Sequence, residues 1–279
     1  MSTAGYLAIT RPVNAIVAGI AAIIAYLIAT GTVIPAAALL FVVAALITAA
    51  GNVINDYFDA EIDAVNRPDR PIPSGSLSRL CAGNFAVFLF VAGIITSIFT
   101  NPLCIAIALI NSLLLLAYAA RLKRIPLVGN IAVAYLSASM FLFGGALGGW
   151  ENMVHIIPVA TITFFAMMAR ELLKAGEDVE GDRRGGADTM PIRYGIPATV
   201  YLAFVCTGLA VVTSFLPYFW WGMWYLGGII LVDSVTLFAA SKSISCLTPE
   251  CVRISRASAI LKAGFFASLI VFTLSAVFL

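Results

Sequence analysis

Residues 36–58 read AAALLFVVAALITAAGNVINDYF, and the acidic sequence DAEID follows directly at residues 59–63. An apolar run of about 17–25 residues is long enough to cross the hydrocarbon core of a bilayer as a helix. The second half of this run contains Asn52, Asn55 and Asp56, and we expect that half to face a cavity rather than lipid. The stretch therefore predicts a membrane-spanning helix that carries polar groups toward one of its ends.

The composition of the whole chain is that of a membrane protein. Of its 279 residues, 62% are hydrophobic and 11% are charged, whereas soluble domains are usually about 45–50% apolar and about 25% charged. This difference excludes a soluble globular protein. The formal net charge is only +2, which is too balanced to suggest a polyanion-binding protein, and we expect no nucleic-acid partner.

Nine apolar runs predict nine transmembrane helices in one domain that covers residues 1–279. The runs are too long and too continuous for the strands of a membrane barrel, so the predicted class is an all-α integral membrane protein. The predicted spans are approximately residues 13–30, 36–58, 83–100, 103–120, 129–149, 154–174, 198–216, 221–240 and 257–278.

The positions of the basic residues predict how the chain crosses the membrane. Four short connections, at 31–35, 101–102, 150–153 and 217–220, contain no Lys or Arg, whereas the N-terminus and the other connections contain thirteen of the sixteen. Cytoplasmic loops of membrane proteins are enriched in Lys and Arg. We therefore predict a cytoplasmic N-terminus, a C-terminus outside, and a location in the cell membrane.

Eleven of the fourteen acidic residues fall in two short segments, residues 56–69 and 171–188, both on the predicted cytoplasmic side. Within each segment, residues four apart share one face of a helix. The spacing predicts two stripes, which are Asn55, Asp59 and Asp63 in the first segment and Arg170, Lys174, Asp178 and Asp182 in the second.

Carboxylates at this spacing repel one another and are poorly solvated near a membrane, so we expect a counter-ion. Mg²⁺ prefers oxygen ligands and typically joins one or two carboxylates to substrate phosphates. Two facing stripes could hold two Mg²⁺ ions over a diphosphate, with the active site on the cytoplasmic side. The alternative is that the stripes are solvated helix ends with local pairs such as Glu171 with Lys174.

Two further sequence features carry expectations. The segment NRPDRPIPSG at residues 66–75 contains three prolines and a glycine, which predicts that the helix stops and that a stiff, extended loop follows and holds Arg67 and Arg70 over a site. The alternative is an ordinary turn with solvated arginines. The five cysteines, Cys81, Cys104, Cys206, Cys246 and Cys251, form no CxxC motif, and we expect reduced, inert thiols.

Taken together, NDYFDAEID at 55–63, NRPDRPIPSG at 66–75 and RELLKAGEDVEGD at 170–182 resemble the UbiA superfamily of intramembrane prenyltransferases. The nine helices of that family around a central cavity match the nine apolar runs, so the resemblance covers the whole chain. It implies that magnesium and a prenyl diphosphate bind at the two stripes, with the metal ligands Asn55, Asp59, Asp63, Asp178 and Asp182.

The resemblance also implies roles for the nearby cations. It makes Asp59, Asp63, Asp178, Asp182 and Lys174 the candidate catalytic residues. The candidate diphosphate- and phosphate-binding residues are Arg11, Asn14, Arg67, Arg70, Lys123, Arg124 and Arg170. The implied partners are a prenyl diphosphate donor, a lipid-like acceptor and the bilayer, and no protein partner is implied.

Within the superfamily, DAVNRPDRPIPSG and EDVEGD are most similar to archaeal members. Those members transfer a geranylgeranyl group from its diphosphate to the free hydroxyl of geranylgeranylglyceryl phosphate, which forms the second ether bond of archaeal lipids. Chlorophyll- and quinone-type members, with aromatic or other acceptors, are the alternative. From another class, an ion-coupled secondary transporter remains open, with Asp233 inside the eighth run as its best residue.

Overall fold

In a computed structural model that describes residues 3–278, the chain folds into twelve α-helices and has no β-strand within that range. Three helices are short: α1 (Thr3–Thr10), α7 (Trp150–His155) and α11 (Pro249–Ser255). The nine long helices are α2 (Pro12–Thr30), α3 (Ala37–Asn66), α4 (Arg79–Ser97), α5 (Pro102–Ala120), α6 (Val128–Leu147), α8 (Ile157–Arg184), α9 (Met190–Ser214), α10 (Tyr218–Ser243) and α12 (Ala257–Phe278).

The long helices correspond one to one with the nine predicted spans, although their ends differ by several residues. Within residues 3–278, eight helical segments are long and apolar enough to cross a membrane, and α8 is not one of them. Its second half contains the charged segment 170–184, which lowers its hydropathy. The chain is therefore an all-helical, multi-pass membrane protein, whereas the count of nine spans and the orientation of the termini stay predictions.

Packing between neighbours arranges the long helices in a closed ring. In order around it, α3 packs on α5, α5 on α6, α6 on α8, α8 on α9, α9 on α10, α10 on α12, α12 on α2, and α2 on α3. Helix α4 packs outside the ring on α3, and α2 also contacts α6 across it. The two motifs, at the carboxyl ends of α3 and α8, line the same cavity.

The outer surface of the bundle is apolar. Phe88, Leu113, Trp224, Leu231 and Phe238 are each more than 60% exposed. Exposed apolar area on this scale would be unfavourable in water, whereas lipid tails solvate it. This surface agrees with the composition in placing the protein within a bilayer.

Gly144 controls how closely α6 approaches α2. A Cβ atom at this position would lie 2.5 Å from the backbone carbon of Ala25 and from the backbone nitrogen of Tyr26. Gly144→Ala must therefore push the two helices apart, and we expect it to lower the free energy of unfolding by about 3 kcal/mol. Thermal unfolding in detergent measures this change. Gly208→Ala is the matched control, because a Cβ there meets nothing within 4 Å, and equal stability of both variants would contradict the prediction.

The expectation of five reduced thiols is wrong for two of them. Cys246 and Cys251 form a disulfide with a Cα–Cα distance of 5.4 Å. They lie on either side of the turn between α10 and α11, where Thr248 caps α11 by accepting a hydrogen bond from the Cys251 amide at 3.3 Å. That cap folds the chain back on itself and brings the two sulfurs together. Cys104 and Cys206 are buried thiols, as expected.

Candidate active site

The first stripe is intact because α3 continues without a break to Asn66. Asn55 donates from Nδ2 to Oδ2 of Asp59 at 3.0 Å. The ammonium of Lys123 bridges the same pair, with Nζ 3.1 Å from Oδ1 of Asn55 and 2.5 Å from Oδ1 of Asp59. Lys123 comes from the 3₁₀ turn Leu122–Arg124 between α5 and α6. This turn therefore places the ammonium group of Lys123 beside the first stripe.

A second network lies beside the stripe and centres on Asp56, which is 4% exposed. Arg70 Nη1 lies 2.5 Å from Oδ2 of Asp63 and 3.0 Å from Oδ1 of Asp56. Arg11 Nη2 lies 2.6 Å from the same oxygen of Asp56. Asp56 is not on the i, i+4 stripe and was not among the predicted site residues. It nevertheless holds two of the predicted phosphate-binding arginines in place.

Local backbone structure explains how Arg11 reaches Asp56. Arg11 has a φ of 50°, in the left-handed region, and it separates α1 from α2, which begins at Pro12. Asn52 fixes the break by donating from Nδ2 to the carbonyl of Thr10 at 2.9 Å. A non-glycine residue in this conformation carries a cost, which the ion pair with Asp56 offsets.

The loop after α3, which contains Arg70, has a different conformation from the one predicted. The helix stops at Asn66 as expected, but residues 68–76 form consecutive turns instead of an extended loop. The turns are closed by hydrogen bonds from the Ser74 amide to the Arg70 carbonyl at 2.9 Å and from the Leu77 amide to the Pro71 carbonyl at 3.0 Å. Leu77 is fully buried beneath them. The compact turns bring Arg70 back over the end of α3.

The second stripe is also continuous, because α8 runs through Ala175 and Gly176 to Arg184. In the described part of the chain, Asp178 and Asp182 form no ion pair with a Lys or Arg side chain. Asp182 lies beyond the predicted span 154–174. Burial raises its pKa, and the neighbouring Asp178 adds to this shift while Lys174 opposes it. A bound cation would stabilise both carboxylates.

The first stripe and, from the second, Lys174, Asp178 and Asp182 line one cavity of about 1100 Å³. This volume exceeds the usual range of about 300–1,000 Å³ for a small-molecule site. The charged and polar residues at one end include the whole predicted metal set, Asn55, Asp59, Asp63, Asp178 and Asp182, and the cations Arg11, Arg67, Arg70, Lys123, Arg124 and Lys174. The rest of the lining is mostly apolar, with Ile47, Leu115, Leu136, Met140 and Phe143, and it also includes Thr48, Asn111 and Ser137. The cavity therefore suits an amphiphile with an anionic head.

Two predicted site residues lie elsewhere. Asn14 is exposed and does not line the cavity, and Arg170 is paired with its neighbour Glu171 and does not line it either. Their assignment to substrate binding stays a prediction. Residues that sequence reasoning missed do line the cavity, among them Glu177, Arg184 and Arg253.

The donor set fits Mg²⁺ that is shared with a substrate. Among residues 3–278, no group of three or more His, Cys, Asp or Glu side chains is arranged to hold a metal ion unaided. Mg²⁺ commonly takes only one or two carboxylates and completes its shell with water and phosphate oxygens. Each stripe presents two carboxylates to the cavity, so a diphosphate lying between the stripes would supply the missing oxygens.

Comparison with known proteins identifies the family to which the chain is similar. Residues 13–276 match the model of the UbiA prenyltransferase family. Digeranylgeranylglyceryl phosphate synthase of Methanoregula boonei is 59% identical, and the alignment covers 100% of both chains. The synthase of the same name from Methanoculleus marisnigri is 55% identical, over 99% of this chain and 100% of that one.

Solved structures share the fold. A structure described as digeranylgeranylglyceryl phosphate synthase in membranes has a TM-score of 0.89 and 36% identity, and the alignment covers 99% of each chain. A UbiA homolog from Archaeoglobus fulgidus bound to GPP and Mg²⁺ has a TM-score of 0.69 and 18% identity, over 95% of this chain and 99% of that chain. The chain therefore belongs to the UbiA prenyltransferase family.

Proposed function

We propose that this chain transfers a geranylgeranyl group from geranylgeranyl diphosphate to the free hydroxyl of geranylgeranylglyceryl phosphate, which forms the second ether bond of archaeal membrane lipids. The observation that carries this proposal is one cavity with two facing carboxylate stripes at its polar end and an apolar remainder. The synthases that are 50–59% identical over the full chain support the choice of acceptor.

The proposed donor site would hold two Mg²⁺ ions. Asn55, Asp59 and Asp63 would hold one ion from α3, and Asp178 and Asp182 would hold the other from α8. When bound, the ions would neutralise the negative charge that builds up on the leaving diphosphate. The chain supplies the rest of the binding site from its own side chains.

The cations and the apolar wall position the donor. Three cations that line the cavity beside the stripes would contact the diphosphate oxygens: Lys123, Lys174 and Arg67. Arg70, which forms an ion pair with Asp63, would contact them as well. The apolar wall would hold the prenyl chain and exclude water from the reacting carbon. The bond from C1 to the diphosphate oxygen then breaks, and the diphosphate leaves with the bonding electron pair. The acceptor oxygen forms the ether bond to C1, and the proton of its hydroxyl passes to water or to the released diphosphate. Tyr118 lines the cavity, where its ring face can stabilise positive charge on C1.

The proposed topology places this chemistry on the cytoplasmic side of the cell membrane. Nine crossings, with the N-terminus inside and the C-terminus outside, would put the carboxyl ends of α3 and α8 in the inner leaflet. The excess of Lys and Arg in the connections at that end of the bundle supports this orientation. The soluble part of both substrates, the phosphate groups, would then enter from the cytoplasm.

Product analysis tests the proposed reaction. The purified protein is incubated with geranylgeranyl diphosphate and Mg²⁺, and geranylgeranylglyceryl phosphate and an aromatic acid are offered in parallel. We expect release of diphosphate together with the doubly prenylated glyceryl phosphate, and no product when Mg²⁺ is chelated. Prenylation of the aromatic acid alone would contradict the proposed acceptor and favour a quinone-type enzyme.

Asp233 separates the enzyme from the transporter interpretation. It lies outside the main cavity and lines a small one of about 30 Å³, and its Oδ2 accepts a hydrogen bond from Ser214 Oγ at 2.6 Å. An asparagine can accept the same bond. We therefore expect Asp233→Asn to keep wild-type turnover in the diphosphate-release assay. An ion-coupled transporter would need the carboxylate of Asp233. Loss of diphosphate release in this variant would show that the carboxylate has a functional role and would contradict a purely structural one.

A further inference from the structure

We propose that Arg124, Arg184 and Arg253 form a second anion site at the polar end of the cavity, and that this site binds the phosphate of the acceptor. The site rests on the proposed function, because it concerns the headgroup of the second substrate. Arg184 and Arg253 were not among the residues predicted from sequence, and Arg124 was expected only as a general phosphate contact.

The chemistry of the two substrates requires such a site. The acceptor carries its phosphate and its free hydroxyl on neighbouring carbons of glycerol. When the hydroxyl approaches C1 of the donor, the acceptor phosphate must come close to the donor diphosphate. A phosphate monoester carries about −1.5 to −2 charges at pH 7, and repulsion between anions is strong where water is scarce. The acceptor therefore needs cations that the donor does not use.

The other cations that line the cavity lie beside the predicted metal ligands, where the donor diphosphate would bind. Arg11 and Arg70 are paired with Asp56, and Lys123 is paired with Asp59. Lys174 lies one helical turn before Asp178 on the second stripe, and Arg67, directly after α3, is assigned above to the diphosphate. These groups surround the place where a metal-bound diphosphate fits.

Arg124, Arg184 and Arg253 come from three separate segments of the chain, the Leu122–Arg124 turn, α8 and α11. Within the described residues, none of the three forms an ion pair, and all three line the cavity. Arg253 Nη2, from α11, donates to the carbonyl of Glu177 on α8 at 2.9 Å. The Asp188 amide, just beyond α8, donates to the Arg124 carbonyl at 3.2 Å. These two bonds fix α11 and the Leu122–Arg124 turn against the end of α8, where Arg184 lies.

The same region leaves room for a headgroup. Gly181 and Gly185 line the cavity there, and a Cβ at Gly181 would meet nothing within 4 Å. Two carboxylates are also present, but Glu177 accepts a hydrogen bond from Ser258 Oγ at 2.6 Å, and Glu180 is exposed. Guanidinium groups bind phosphate oxygens in a bidentate manner. Three arginines that line the cavity and form no ion pair within the described residues therefore match a phosphate monoester.

A structural alternative is that Arg184 only stabilises the carboxyl end of α8, as basic residues near helix ends do. Arg183 provides the matched control, because it precedes Arg184 at the same helix end, is exposed, and does not line the cavity. Arg183→Gln and Arg184→Gln change the helix end equally. Only the second removes a guanidinium from the cavity.

Steady-state kinetics on the full chain in detergent test the site. Two acceptors are compared, geranylgeranylglyceryl phosphate and geranylgeranylglycerol, which lacks the phosphate. We expect Arg184→Gln and Arg253→Gln to raise the KM for the phosphorylated acceptor by about tenfold or more, because each substitution removes a charge-assisted hydrogen bond to the phosphate. The KM for the donor and the kcat/KM for the unphosphorylated acceptor should stay unchanged, and Arg183→Gln should behave as wild type.

Other results would overturn the site. An equal rise in the KM for the donor would assign these arginines to the diphosphate, and an unchanged KM for the phosphorylated acceptor would leave them without a role in binding. Where wild-type protein does not use geranylgeranylglycerol, the KM values for donor and phosphorylated acceptor decide alone. Absence of product from wild-type protein with either acceptor would instead contradict the proposed function.

Discussion

Replacing Asp59 or Asp178 by asparagine is expected to lower kcat by about 10³-fold or more, because stabilisation of the leaving group by metal is worth several kcal/mol and each 1.4 kcal/mol is a factor of ten. Asparagine keeps the size of the side chain but removes the negative charge that a metal ligand needs. At Asp59 the hydrogen bond from Asn55 can persist, so the fold should survive. Release of diphosphate from purified protein measures the loss.

Two carboxylates outside the cavity provide matched controls. Glu61 lies on α3 between the two aspartates of the first stripe, is exposed, and pairs with Arg79 at 3.2 Å. Asp188 follows the second stripe and pairs with Arg193 at 3.2 Å. Glu61→Gln and Asp188→Asn should retain wild-type turnover. Near-normal, magnesium-dependent activity in Asp59→Asn or Asp178→Asn would show that the stripes are not the catalytic site.

Lys123→Met is expected to lower kcat by about 10²–10³-fold, the usual effect of removing one charge-stabilising donor from an active site. Lys123 contacts Asn55 and Asp59, so its ammonium lies where the donor phosphates and their metal would bind. Methionine preserves the length of the chain and its apolar contacts. Kinetics with varied donor and varied Mg²⁺ separate a change in kcat from a change in donor KM.

Lys242 serves as the control for this substitution. It lies at the end of α10, with its Nζ 4.5 Å from the ring centroid of Phe238, and it does not line the cavity. Lys242→Met should leave the kinetic constants unchanged. Turnover of Lys123→Met within the range of this control would mean that Lys123 only balances the charge of Asp59 in the resting protein.

The parts of the site that depend on local structure were predictable from the sequence. Stripes at i, i+4 spacing follow from the helical repeat alone, and both α3 and α8 continue through their motifs. The long helices likewise follow from the length of each apolar run. Such inferences need no knowledge of which segments meet in the folded chain.

Long-range contacts explain what the sequence did not reveal. Asp56 gains its role from Arg11, 45 residues away, and Arg253 reaches α8 across 76 residues. Neither pairing has a local signature in the chain. The turns after α3 were predicted as extended backbone because prolines exclude a helix without specifying which turn replaces it. The Cys246–Cys251 disulfide depends in the same way on how one turn closes.

Binding of Mn²⁺ in the presence of diphosphate tests most directly whether the two stripes form one site. Electron paramagnetic resonance counts the ions bound to purified wild-type, Asp59→Asn and Asp178→Asn protein as inorganic diphosphate is added. Two diphosphate-dependent ions are predicted for wild-type protein, and each single substitution should weaken the binding of diphosphate as well as of metal. Undiminished binding of diphosphate and both ions in either variant would contradict a shared site between α3 and α8.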